Sequence, residues 1–294
     1  MTDRNGANPE ASGTMVESGV ADDSAATPEA ADAFSEAEVK EAWYVRYDRF
    51  LIGLAALLVV AGAWQLFAAL HIVNPSFTSS PSKVAVAEYH YFVGGTGWSD
   101  VEKTGLEFIL GLAIAILVGI PVGLIIGWYP LASAICEPFL NLIYATPFVA
   151  LAPLFVLWFG IGLESKLAVV FLAAVVSIVV TTSAGVKTVE NSLLGVARTY
   201  RANSFQIFRT LVLPGTLPSI VSGVRLGTGH ALTGAVLAEL IASTGGVGYF
   251  INASGTSFDT DQVFAGIAVI AFAGLIVATL LRRIERKFDK WRIV

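Results

Sequence analysis

Apolar residues gather in six runs along this chain, each near the ~20 residues a helix needs to cross a bilayer. They cover about Phe50 to Ile72, Thr104 to Gly127, Ala132 to Phe159, Leu167 to Val186, Leu217 to Ile241 and Val263 to Leu281. Inside lipid, each backbone N–H and C=O must find a partner within its own segment, so the runs predict helices. The pattern therefore predicts an all-α membrane protein with six transmembrane helices. Glu107 and Pro121 interrupt the second run. The third holds Pro138, Pro147 and Pro153 before a glycine-containing exit. Prolines free backbone groups that packed neighbours or water must satisfy. That run predicts a helix inside the bundle, lining a cavity.

Shorter elements fill the gaps. Val39, Trp43, Tyr44 and Tyr47 fall at helical spacing and predict an interfacial helix over about 36–49. A short helix is expected from Pro81 to Tyr91, broken by the glycines of Gly94 to Gly97. One stretch, TYRANSFQIFRTLVLPGTLP from Thr199 to Pro218, is too charged for a span and too regular for a linker. Asn203 and Ser204 suit a helix N-cap. Phe205, Phe208, Leu211 and Val212 then follow at i, i+3, i+6 and i+7, with Arg209 off that face. Upstream, Leu193, Leu194 and Ala197 form another short helical segment ending near Arg201. The expectation is two short helices meeting at Ala202-Asn203, with Pro214 stopping the second. A helix pair on the membrane surface and a docking element for a partner both fit that pattern.

Composition agrees with a lipid environment. The 294 residues are 55% hydrophobic and 14% charged, against about a quarter charged in soluble domains. The net charge of −5 hides a split. Residues 1–42 hold ten Asp/Glu against two Lys/Arg, and almost no large apolar side chain. That segment buries too little surface to fold alone and is expected to be a disordered acidic tail, leaving 43–294 as the membrane domain. It lacks the basic start and apolar core of a signal peptide. Basic residues then fix the expected orientation. Arg46, Arg49, Lys187, Arg198, Arg201 and Arg209, with six more from Arg282 to Arg292, flank one side; Lys83, Lys103 and Lys166 flank the other. Both termini and the 190–214 stretch are thus expected in the cytoplasm. The single Cys136 rules out an intrachain disulfide and reads as a small buried hydrophobe.

Ionisable groups inside spans are costly and become candidates for function. Glu137 and Asn141, one helical turn apart, are expected to line a path near the inner side. His230 lies near mid-membrane and reads either as a packed neutral histidine or as a ligand. Glu239, near the outer end of its span, reads as a pairing, gating or solvated group. Glu107 is expected to be solvated at the outer mouth, and Arg225 to play a structural part.

Six spans with an amphipathic cytoplasmic loop two spans from the end resemble the permease subunit of a bacterial ABC importer. Such loops carry a motif of the form E-A-A-x3-G-x9-I-x-L-P. Set on Leu213-Pro214, this chain has Gly195-Val196-Ala197 for the E-A-A, Arg201 at the glycine and Leu211 at the isoleucine. TPFVALAPLFVLWFGIGLESK, GIPVGLIIG, VLPGTLPSIVSGVRLGTGHALTGAVLAE and GGVGYFINASGTSFDTDQVFAGI resemble the nitrate/sulfonate/taurine-type branch. The likeness runs from about Pro75 to the C-terminus. It implies the fold of type I importer permeases and a non-enzymatic subunit. Two permease copies, two ATPase subunits and an extracytoplasmic substrate-binding protein would assemble. ATP and Mg would be bound by the ATPases, with no cofactor, metal or nucleic acid on this chain. The resemblance also implies that Ala197, Arg201, Ala202, Phe205, Gln206, Leu213 and Pro214 couple the permease to the ATPase, with Phe205 an aromatic anchor in its cleft. An oxyanion would call for Arg, Lys or helix N-termini nearby. The outer halves of the spans offer little positive charge, so selectivity is expected to reside largely in the binding protein.

Two rivals are weaker. A membrane serine protease needs Ser and His on facing helices, and Ser222, Ser254 and His230 are predicted at different depths. A secondary transporter would explain broken spans and buried acids, yet it leaves the 190–214 stretch without a role and no internal repeat is evident. No Gly-Lys pair occurs, so a P-loop is absent from the chain.

Overall fold

The computed structural model describes residues 51–70, 77–189 and 191–288. The expected acidic tail and interfacial helix lie outside them. The chain divides into two compact units at Gly62/Ala63. Of the first, residues 51–62 are described, and they are helical. Among the described residues every regular element is helical.

The long helices are α1 (Leu51–Ala69), α3 (Gly97–Trp128), α6 (Leu163–Lys187), α9 (Leu213–Ala242) and α11 (Thr260–Phe288). Each is long and apolar enough to span a membrane. Shorter elements complete the chain: α2 (Pro81–Val93), α4 (Pro130–Ala145), α5 (Ala152–Phe159), α7 (Asn191–Thr199), α8 (Ser204–Ile207) and α10 (Val247–Thr256). The short helix expected after Pro81 is present. Ser80 caps α2 by accepting from the Lys83 N–H, and Pro81 takes the first turn, where its missing N–H costs nothing.

The expected third span is broken rather than continuous. Its two helical parts, α4 and the Phe148–Phe159 segment, meet at 89°. Pro147 forces Thr146 into extended backbone and supplies no N–H of its own. A single 3₁₀ turn, Phe148–Leu151, starts the chain in its new direction.

Helix α6 is the most buried of the candidate spans, held between α3 and α9. Small residues make this close approach feasible. On α3, Gly111, Ala115, Gly119, Gly123 and Gly127 recur every fourth position. A Cβ on Gly119 would stand 2.9 Å from the Ile178 side chain, and one on Gly123 2.7 Å from Thr182. Small-residue stripes of this kind let backbones pack by dispersion where lipid offers no hydrophobic drive. From the other side Ala231 and Ala235 of α9 join Val170, Ala174 and Ile178 in the same core.

A second correction concerns Pro214. It does not stop the preceding helix. Residues Phe208–Val212 form a π turn, in which the Leu213 N–H reaches back to the Phe208 carbonyl. A proline ring clashes with the carbonyl four residues earlier in a regular helix. The wider turn relieves that clash, and the chain stays helical from Ser204 to Ile241.

Candidate functional site

Three constellations stand along the α3–α6–α9 core. At one end, α7 and α8 form a compact hairpin. The N–H of Ala202 bonds to the Ala197 carbonyl at 3.1 Å, and that of Arg201 to the Arg198 carbonyl at 2.9 Å. This crossed pair is a Schellman cap, which needs a left-handed residue at its turn. Arg201 is that residue, with φ of 57°. The position where related loops carry glycine therefore keeps the glycine conformation without the glycine. Asn203 then opens α8 through a capping box: its Oδ1 accepts from the Gln206 N–H at 2.8 Å, and Gln206 Oε1 accepts from the Asn203 N–H at 2.9 Å.

The hairpin has two faces. Leu194, Ala197, Ala202 and Ile207 turn inward against Leu124 and Trp128 of α3 and Val186 of α6. The Phe208 and Trp128 rings meet nearly edge to face, 5.6 Å apart. On the other face Phe205 is 70% and Tyr200 82% exposed, beside exposed Leu193 and Val196. Leu213 and Pro214 begin α9 beyond the π turn. Of the seven residues expected in this loop, Ala197 and Ala202 pack on the chain itself, and Gln206 is spent on the cap. Phe205, Arg201 and Gln206 are exposed, and of these the Phe205 and Arg201 side chains are free of the capping box.

Midway along the bundle, the α4–α5 bend opens a cavity of about 390 Å³. Tyr144 and Thr146 line one wall, Ser177 of α6 and His230 of α9 the other, with Phe148 and Val176 between. Ser177 Oγ and His230 Nδ1 are 2.7 Å apart. Glu137 and Asn141 do not line this cavity. Glu137 is exposed and pairs with Lys187 at the end of α6, where Ser133 also contacts both side chains.

At the end opposite the hairpin, polar side chains converge in the interior. Glu239 is 1% exposed; it accepts from the Thr104 hydroxyl at 2.8 Å and from the Gly248 N–H at 2.7 Å. The Val247 N–H donates to Thr104 Oγ1 at 3.0 Å. Asp100 accepts from Tyr91 Oη at 3.0 Å and from the Gly246 N–H at 2.9 Å. Burial, and then the neighbouring Asp100 carboxylate, push the Tyr91 phenol far above its usual range, so it remains a donor. Gly246 has φ of 106°, and a Cβ there would strike the Glu239 carboxylate. Lys166 closes the set with a 2.6 Å ion pair to Glu107, which is only 3% exposed. Glu107 is thus not solvated at the mouth as expected; a lysine from α6 compensates its charge inside the protein. Glu239 is a pairing group, bound to α3 and α10. Arg225 pairs with Glu285 of α11 at 3.3 Å.

Sequence reasoning missed Asp100, Thr104 and Lys166. Their only linear signal was position: the first two lie one turn apart at the start of α3, and Lys166 sits in the first turn of α6. No group of three or more His, Cys, Asp or Glu among the described residues is arranged to hold a metal ion.

Comparison with known proteins is consistent across sequence and fold. The family described as "Binding-protein-dependent transport system inner membrane component" matches residues 119–291. The taurine transport system permease protein TauC of Escherichia coli (strain K12) is 34% identical over 245 residues, covering 82% of this chain and 89% of that protein. The putative aliphatic sulfonates transport permease protein SsuC of Bacillus subtilis (strain 168) is 30% identical, covering 88% and 93%. Among solved structures, a chain of the MetNI methionine ABC transporter aligns with a TM-score of 0.57 at 19% identity, covering 66% of this chain and 97% of that one. That last likeness concerns the fold alone. By the family match and these relatives, the chain belongs to the binding-protein-dependent transport system inner membrane components, as a multi-pass permease component of an ABC importer.

Proposed function

We propose that this chain forms the translocation path of an ATP-driven importer for small sulfonates, taurine-like solutes among them. The substrate class rests on the relatives named for taurine and aliphatic sulfonates. Two copies would enclose the path. An extracytoplasmic binding protein would deliver substrate to the end that holds the buried Glu107–Lys166–Thr104–Glu239 set, the clamp end, and two separate ATPases, which hold ATP and Mg, would dock at the hairpin end. The basic flanks support a cytoplasmic position for that end and both termini.

The observation that carries this reading is the two-faced hairpin. Its inner face is fixed to α3 and α6, while Phe205, Tyr200 and Val196 present apolar surface outward. A rigid aromatic on an exposed, well-capped turn is the kind of residue that anchors a partner. Helical continuity through the π turn then links that anchor to α9, which crosses the membrane beside the His230 cavity. Closure of the ATPase pair would bias one of two packings of the bundle.

Phe205→Asp tests the docking. In the assembled importer, the ATPase is expected to detach or to hydrolyse ATP without transport, while the permease keeps its melting temperature. Normal copurification together with normal uptake in this variant would remove the docking assignment.

A further inference from the structure

The cavity at the α4–α5 bend has an unusual set of polar groups for a site in a membrane interior. Among the described residues, no Asp, Glu, Lys or Arg lines it. Its polar atoms come from Tyr144, Thr146, Ser177 and His230. The Thr146 hydroxyl proton is already given to the Leu142 carbonyl at 2.8 Å. Ser177 makes its hydrogen bond to His230 Nδ1, 2.7 Å away. Where the serine hydroxyl donates, Nδ1 is the acceptor. The ring proton then resides on Nε2. Two donors are left for a ligand, His230 Nε2–H and the Tyr144 hydroxyl.

Donors without a formal charge suit one class of solute. A sulfonate spreads one negative charge over three oxygens and accepts N–H and O–H bonds readily. A lysine or arginine would bind the same group more strongly through charge-assisted hydrogen bonds. A transport path needs binding favourable enough to admit the solute and weak enough to release it. Phe148, Leu151 and Val176 supply apolar wall for a short alkyl chain. Nothing in the lining repels an anion, and nothing holds one permanently.

From this arrangement we infer that the cavity is a transient sulfonate subsite, in which His230 Nε2–H contacts the passing anion and Ser177 holds the imidazole in the required tautomer. The inference rests on the sulfonate reading above and adds to it a contact inside the permease. Ser177 is a positioning residue; His230 touches the substrate. The lining offers no carboxylate to receive an ammonium group, so the contact is to the sulfonate end alone. Taurine and ethanesulfonate should therefore depend on it equally.

The test uses the complete importer, with its ATPases and binding protein, reconstituted in proteoliposomes. Uptake of labelled taurine and of labelled ethanesulfonate is measured per assembled complex. His230→Ala is expected to lower kcat about tenfold for both solutes, with KM still set by the binding protein, since one hydrogen bond to a charged group is lost. His230→Gln, which keeps a side-chain N–H at similar reach, should retain most of the rate. His230→Glu, similar in size but anionic, should abolish uptake. Ser177→Ala should lower kcat several-fold, and Ser177→Thr should restore it. Wild-type rates in His230→Ala would overturn the subsite. So would equal losses in the Gln and Glu variants, which would mark a packing role. If the unmodified importer carries neither sulfonate, the substrate reading itself falls, and the subsite with it.

Discussion

The two ends of the α3–α6–α9 core are tied together by opposite means. At the clamp end, Glu107, Lys166, Thr104, Glu239 and two backbone N–H groups form a buried polar set with directional bonds of 2.6–3.0 Å. At the hairpin end, Leu124, Trp128, Val186, Ile207 and Val212 meet through apolar contact alone. Directional bonds between desolvated groups are satisfied in one arrangement and costly in any other. Dispersion contacts are individually small and tolerate sliding. The clamp end is thus built to stay assembled, and the hairpin end to shift as a body. On the proposed mechanism of two alternating packings, that asymmetry makes the hairpin end the place where motion would enter.

The sharpest way to break the contrast is Glu107→Ala, which leaves Lys166 buried without its partner. Loss of one member of a buried ion pair costs about 3–5 kcal/mol. Thermal unfolding of the purified protein should show a large drop. The exposed Glu137–Lys187 pair is the internal control, and Glu137→Ala should move the same transition far less. Trp128→Ala follows in size. It removes the ring packed on Phe208, a pair worth about 0.5–1.5 kcal/mol beyond its buried area. Stability should fall modestly, and on the proposed coupling to an ATPase, ATP-driven uptake should fall further. Asn203→Ala removes the α8 cap at a cost of about 1 kcal/mol. Amide exchange should rise in α8 and leave the clamp unchanged. Smallest, and opposite in sign, is Arg201→Gly. A left-handed residue other than glycine carries a penalty, so this change should stabilise the hairpin by about 0.5–1 kcal/mol. A lower melting temperature would show that the Arg201 side chain contributes more than its backbone costs.

Local signals carried much of the fold. The apolar runs located the spans, Pro81 marked the start of α2, and Asn203 with Ser204 marked the start of α8. The break in the third span was signalled by Pro147, though its 89° angle was not, because the angle depends on packing rather than on the proline itself. The clamp was illegible for a related reason. Thr104 and Glu239 are 135 residues apart, and Glu107 and Lys166 are 59 apart. Each looked like an isolated polar residue until helix packing brought the two pairs together. From the sequence alone Glu107 therefore reads as a solvated residue, whereas it belongs with a lysine. The hairpin was more readable because its caps are local, and only the inward turn of Ala197 and Ala202 required the tertiary structure. At Pro214 a regular helix would end, but the chain takes another hydrogen-bond spacing there.

That spacing has a further consequence. A π turn accommodates one residue more than a regular α-helical turn does. It therefore sets the angular phase of everything on its N-terminal side. In a regular helix each residue advances about 100° around the axis, so an extra position would rotate α8 by roughly that angle relative to α9; the wider turn at Phe208–Val212 absorbs it instead. Without that wider turn, Phe205 would point toward a different quadrant with its own sequence unchanged. The single widened turn acts as the clocking mark of the molecule, fixing the compass bearing at which its exposed aromatic faces outward.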